Sequence, residues 1–142
     1  MYKDILLAVD LAHENTQSNA VASAVAFAQQ FDARLHLITV VPDFGMSIVG
    51  GFFPPDYEKK VLEKAKNDLH SFSGKAIPEG LAVQHIVGHG AAYREILRYA
   101  EETKCDLIVM ASHRPEVSDH LIGPNTMKVV GHANCSVLVV RS

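Results

Sequence analysis

The segment Asp4-Ile5-Leu6-Leu7-Ala8-Val9-Asp10 is apolar throughout between two carboxylates. A strand with one wet face alternates apolar and polar residues. This one does not, so it predicts a central parallel strand covered on both sides. Working outward, residues 15–31 change to a helical period, with Ala20, Ala24, Phe27, Ala28 and Phe31 on one side and Asn15 or Thr16 as the cap. Residues 35–41, Leu-His-Leu-Ile-Thr-Val-Val, form a second apolar strand that stops at Pro42.

Residues 43–55 are rich in Gly, Phe and Pro and carry no period, which predicts a long loop. Its Phe44, Phe52 and Phe53 need a partner surface, either the protein's own helices or a ligand. The helix expected over 56–72 sets Tyr57, Val61, Leu62, Ala65 and Leu69 against the core and a Lys- and Glu-rich face against water. A third strand follows over 81–87, a turn at Gly88-His89-Gly90, and a helix over 91–103 with Ile96, Leu97 and Ala100 inward. The fourth strand is 106–111, then come a polar loop over 112–123, a short helix over 125–131 and a last strand, Ser136–Arg141. Alternation of strands and helices predicts an α/β fold in three layers, a parallel sheet with helices on both faces. There is no linker, repeat or biased block, so residues 1–142 make one domain.

Composition narrows the function. With 48% hydrophobic and 20% charged residues the chain has material for a real core. A net charge of −3 offers no general attraction for nucleic acid or an anionic membrane, and no apolar run reaches the ~18 residues of a membrane span. Any anionic ligand therefore needs a local site. Cys105 and Cys135 stand too far apart for a zinc motif and read as buried free thiols. With no signal-peptide pattern, they predict a reducing, cytoplasmic compartment.

Open parallel sheets bind ligands outside the carboxyl ends of their strands, where strand order reverses. The suspects are the residues leaving strands one, two and four, together with the start of the last helix, whose unpaired N–H groups favour phosphate. Asp10 either accepts ribose or amino hydrogens or caps the next segment. Arg114 either pairs with phosphate or is an exposed loop cation, and His113 either serves the phosphates or is incidental. His120 and His132 read as surface residues. The chain lacks G-x-x-x-x-G-K-[ST], a G-x-G-x-x-G turn and a G-x-S-x-G elbow.

Taken in order, Ile5-Leu-Leu-Ala-Val-Asp10, Leu35-His-Leu-Ile-Thr-Val-Val41, Gly88 with Ile96-Leu-Arg-Tyr-Ala100, Asp106-Leu-Ile-Val-Met-Ala-Ser-His113, Leu121-Ile-Gly123 and Cys135-Ser-Val-Leu-Val-Val-Arg141 resemble a small universal stress protein. The resemblance implies a five-stranded fold of the adenine nucleotide alpha hydrolase-like type, ATP binding in many members, and homodimers. The nucleotide-binding members carry G-x2-G-x9-G-[ST]. Here Ala111 and Arg114 stand at the first two glycines, Gly123 comes one residue early, and Pro124 replaces the Ser or Thr. The Ser112-His113-Arg114-Pro115 loop is similar to a subgroup in which nucleotide binding persists.

Carried over by position, Ala8, Val9 and Asp10 would meet the adenine and ribose. Val40 and the Val41 backbone would read the adenine edge. Met110 and Ala111 would line the ribose and α-phosphate. Ser112, His113, Arg114, Gly123, Asn125 and Thr126 would surround the phosphates. The implied ligand is ATP, or ADP or AMP, with Mg²⁺ as companion. Val137, Leu138, Val139 and Val140 would form a dimer interface. The leading expectation is a nucleotide-binding stress or regulatory protein with no catalytic or metal-ligating residues. Open beside it stand a slow ATP hydrolase helped by His113 or Asp119, a nucleotide-free interaction module, and an FAD or AMP binder.

Overall fold

A computed structural model of the chain describes residues 1–42, 56–112 and 124–142. Five parallel strands build one sheet: β1 (Asp4–Ala8), β2 (Arg34–Val41), β3 (Val83–His89), β4 (Leu107–Ser112) and β5 (Ser136–Arg141). Their order across the sheet is β3-β2-β1-β4-β5. The helices are α1 (Ser18–Phe31), α2 (Tyr57–Ala76), α3 (Ala92–Glu102) and α4 (Pro124–His132).

The continuous apolar runs sort into two cores by strand alternation. Ile5, Leu7, Leu35, Leu37, Leu107 and Val109 face α1 and α2, where Ala20, Ala24, Ala28, Leu69 and Phe72 close over them. Leu6, Ile38, Ile86, Ile108 and Met110 face α3 and α4, against Ile96, Ala100 and Val129. The expected three-layer arrangement is the observed one.

Several local expectations change, and α2 runs to Ala76, four residues beyond the expected end. The α1 cap is neither Asn15 nor Thr16. Those residues sit in a single 3-10 turn, Glu14–Thr16, and the helix starts after Gln17, which makes no side-chain cap bond. The Thr16 hydroxyl donates instead to the His13 carbonyl, at 2.7 Å. The third strand begins two residues later than the pattern suggests and runs on to His89, because its pairing with β2 continues to the Val41–His89 register. Cys105 is buried as expected, whereas Cys135 is half-buried. Burial pushes the Cys105 thiol up to about 11 and raises that of Cys135 as well, so neither behaves as a ready nucleophile. The 43–55 loop, with Phe44, Phe52 and Phe53, lies outside the described residues, as do Asp119 and His120. His132 is exposed.

Under α2 the His85 ring stacks on His70 with centroids 3.8 Å apart. The buried His85 Nε2 has no hydrogen-bond partner among the described residues. Burial, and then His70, hold His85 below its ordinary value of 6.5. The unfolded chain thus binds this proton more readily than the folded one. Stability is whole above pH 6.5 and falls as acidification carries the folded chain through its lowered value. Urea midpoints are expected to drop between pH 7.5 and 5.5, and His85→Phe to shrink that drop. An undiminished drop in the variant would exclude His85 as its source.

Candidate functional site

Strand order reverses at β1: the chain moves outward to β2 and β3 on one side, then returns to place β4 and β5 on the other. A crevice opens at the carboxyl ends of β1 and β4, the place where open parallel sheets bind ligands. It is a cavity of about 320 Å³, of the size that small-molecule sites occupy.

Eight sequence-predicted residues line it: Ala8, Val9, Asp10, Val40, Met110, Ala111, Asn125 and Thr126. The wall also contains Thr16, Gln17, Ile38, Thr39, Ala92 and Ile96, which sequence reasoning missed. Ile38, Thr39 and Ile96 lie within predicted elements, and Ile38 and Thr39 could have been found by extending the strand-end rule further into the second strand. Nothing in the pattern marks Gln17.

Two predicted residues stand apart from the lining. The Val41 side chain is buried, and its carbonyl accepts the Gly90 N–H at 2.9 Å. Gly90 has φ +129, so glycine is the residue that lets the chain turn there and reach back to β2. Ser112 is buried at the end of β4, where its Oγ accepts from Arg141 Nη1 at 3.4 Å and its carbonyl from the Ser142 N–H at 3.1 Å. His113, Arg114 and Gly123 lie outside the described residues.

Asp10 sits at the mouth of the cavity, just past β1, with its carboxylate exposed. Of the two alternatives for this residue, its geometry shows the cap. Oδ1 accepts the Ala12 N–H at 3.0 Å, the turn-capping role, and Oδ2 lies 3.0 Å from His13 Nδ1. Each carboxylate oxygen has a second lone pair, so these contacts leave acceptor capacity toward the cavity.

Opposite Asp10, α4 begins with Pro124, whose fixed φ suits the first helical position. Asn125 and Thr126 follow in the first turn, where helix N–H groups lack intrahelical partners. Ile38, Val40, Ile96 and Met110 make the intervening lining apolar. The arrangement suits a flat apolar ring flanked by a hydroxyl-rich group and an anion. No cluster of three metal-binding side chains occurs among the described residues. No described helix is long and apolar enough to cross a membrane.

The β3–α3 turn is held by Glu95, which is buried. Its Oε1 accepts the His89 N–H at 2.9 Å, and both oxygens accept from Arg98. Arg98 keeps the Glu95 carboxyl below the usual carboxylate range. Gly88 lies under this contact: a Cβ there would come within 3.0 Å of Glu95 Cβ and 3.3 Å of Val40 Cγ2. Gly88→Ala is expected to cost about 1–3 kcal/mol, as overpacking does. A denaturation midpoint equal to the parent's would show that the turn gives way freely.

Comparison with known proteins follows the same lines. A family model described as "Universal stress protein family" matches residues 1–141. Universal stress protein G of Escherichia coli O157:H7 is 32% identical over 144 residues, covering 99% of this chain and 100% of its own. The solved structure of the protein MJ0577, a universal stress protein of Methanocaldococcus jannaschii, superposes with a TM-score of 0.79 at 28% identity, covering 100% of this chain and 97% of that one. A universal stress protein solved in complex with cAMP shares the fold at 20% identity, with a TM-score of 0.59 and coverage of 99% and 97%.

Proposed function

Because the chain belongs to the universal stress protein family, we propose that it is an adenine-nucleotide-binding regulatory protein of the stress response. It works in the cytoplasm as a homodimer, without dedicated catalytic machinery. The observation that carries this is the convergence of Asp10, Val40, Met110, Ala111, Asn125 and Thr126, from four separate elements, on one cavity at the switch point of the sheet. The complex of a protein of the same fold with cAMP accords with it.

In this reading the adenine lies among Ile38, Val40, Ile96 and Met110, and Asp10 accepts from the ribose hydroxyls. Thr126 and Asn125 meet the α-phosphate at the start of α4. Arg114, His113 and Gly123 take the outer phosphates, and Mg²⁺ arrives on those phosphates rather than in a protein cage. Asp10 is the one carboxylate in the cavity wall among the described residues, and its existing contacts to Ala12 and His13 favour holding over base catalysis.

Calorimetry with ATP, ADP, AMP and GTP tests the reading. Adenine nucleotides are expected to bind in the micromolar range, about 8 kcal/mol, and more tightly than GTP. Neither heat nor thermal shift with any adenine nucleotide would refute it.

The homodimer is proposed to form through β5, the sheet edge on the β4 side. Val137, Leu138, Val139 and Val140 are only half-buried in the single chain. An apolar edge strand exposes backbone groups that invite pairing, and a second copy related by a two-fold axis would satisfy both edges at once.

A further inference from the structure

We propose that Gln17 is the positioning residue of this site. It acts through Asp10, and the inference rests on the adenine-nucleotide reading above. Gln17 is 2% exposed, deeper than any other polar side chain among the described residues. Its amide grips the backbone of a single residue with both ends. Oε1 accepts the Asp10 N–H at 2.8 Å, and Nε2 donates to the Asp10 carbonyl at 2.7 Å. The two partners have opposite polarity, so the orientation of the amide is set by chemistry: the side chain presents one peptide-like unit to the chain, as a neighbouring strand would.

Such a clamp answers a local need. The ladder of β1 ends at Ala8, and the Val9 N–H still donates to the Ile38 carbonyl at 2.8 Å. From Asp10 onward the backbone leaves the sheet, and the Asp10 N–H would have no strand to bond. Gln17 takes it up from the residue immediately before α1, where the Gln17 carbonyl in turn accepts the Val21 N–H at 2.9 Å. The helix therefore anchors the clamp, and the clamp fixes the Cα from which the Asp10 carboxylate reaches the cavity mouth. Gln17 also forms part of the cavity wall. A side chain with one polar end could not bond both Asp10 groups; the carbonyl also accepts the His13 N–H at 3.2 Å, so the N–H is the group that depends most on Gln17.

Gln17→Met keeps the length of the side chain and removes both bonds. It is expected to raise the Kd for ATP, ADP and AMP by the same factor, about tenfold, because the carboxylate it misplaces meets the nucleoside rather than the phosphates. In the nucleotide-free chain, the Asp10 amide is expected to exchange with solvent much faster in the variant than in the parent. Leu69→Ala, a core change in α2 outside the cavity wall, supplies the comparison: it is expected to lower the melting temperature yet leave the three affinities unchanged. If Gln17→Met fails to fold, Gln17→Glu carries the same comparison, since it keeps the acceptor for the Asp10 N–H and loses the donor.

Unchanged nucleotide affinity in a folded Gln17 variant, with the parent binding normally, overturns the inference alone. So does Leu69→Ala weakening binding as strongly as the Gln17 change. A parent chain that binds none of the three nucleotides overturns the functional reading and the inference with it.

Discussion

Val139→Lys is expected to turn the proposed homodimer into a monomer while leaving the fold intact. Val139 is half-buried, yet it packs against neither of the two core clusters, whereas Val137, Leu138 and Val140 each contact one. It pairs in register with Met110 of β4, in the middle of β5. In the proposed two-fold contact both copies of the variant would bring an ammonium group into the centre of the interface without a partner. Leaving such a charge buried costs about 3–5 kcal/mol, at least a hundredfold in the dimer dissociation constant. Sedimentation at low micromolar concentration should show a dimer for the parent and a monomer for Val139→Lys, with unchanged far-ultraviolet dichroism. A parent that stays monomeric at every accessible concentration, or a variant that stays dimeric, refutes the β5 assignment.

Asp10→Ala is the second large effect. A hydrogen bond to a charged acceptor is worth about 1.5–3 kcal/mol, so ATP, ADP and AMP should all bind about 10- to 150-fold more weakly. Uniformity across the three is the discriminating feature, since every adenine nucleotide shares the ribose. Asp10→Asn separates the two duties of the side chain. It keeps an acceptor for the Ala12 N–H, 3.0 Å away in the parent, and removes the charge. It is expected to fall between parent and alanine in affinity while matching the parent in stability. Titrations of all three nucleotides check this. A loss confined to ATP would move Asp10 from the ribose to the outer phosphates. Arg114→Ala makes the opposite pattern, weakening ATP more than AMP; equal weakening would place Arg114 away from the β- and γ-phosphates.

Much of this architecture was legible in the sequence, for a local reason. Asp4–Ala8, Arg34–Val41 and Leu107–Ser112 are apolar without alternation because both of their faces are covered, and a period change marks each helix between them. Their carboxyl ends then had to carry Ala8, Asp10, Val40, Met110 and Ala111 toward one crevice, since parallel strands all point the same way. Those residues needed nothing beyond their place at the end of a strand.

The lateral order β3-β2-β1-β4-β5 is different. Strand order depends on how helices pack across the sheet, which no single segment encodes, so the edge position of β5 became definite only in the tertiary structure. The same holds for Gln17. Asn15 or Thr16 looked like the cap because capping preferences act over two or three residues. The residue that matters there bonds the backbone of Asp10, seven positions earlier, across a turn with no regular period. Val41 and Ser112 also sit at strand ends, yet Gly90 closes over the carbonyl of one and Arg141 bonds the hydroxyl of the other. The sequence by itself determined which segments are strands and which end of them borders the cavity. The tertiary structure alone decided which side chains at that end face the cavity, because that depends on the neighbours each backbone group finds once the sheet is assembled.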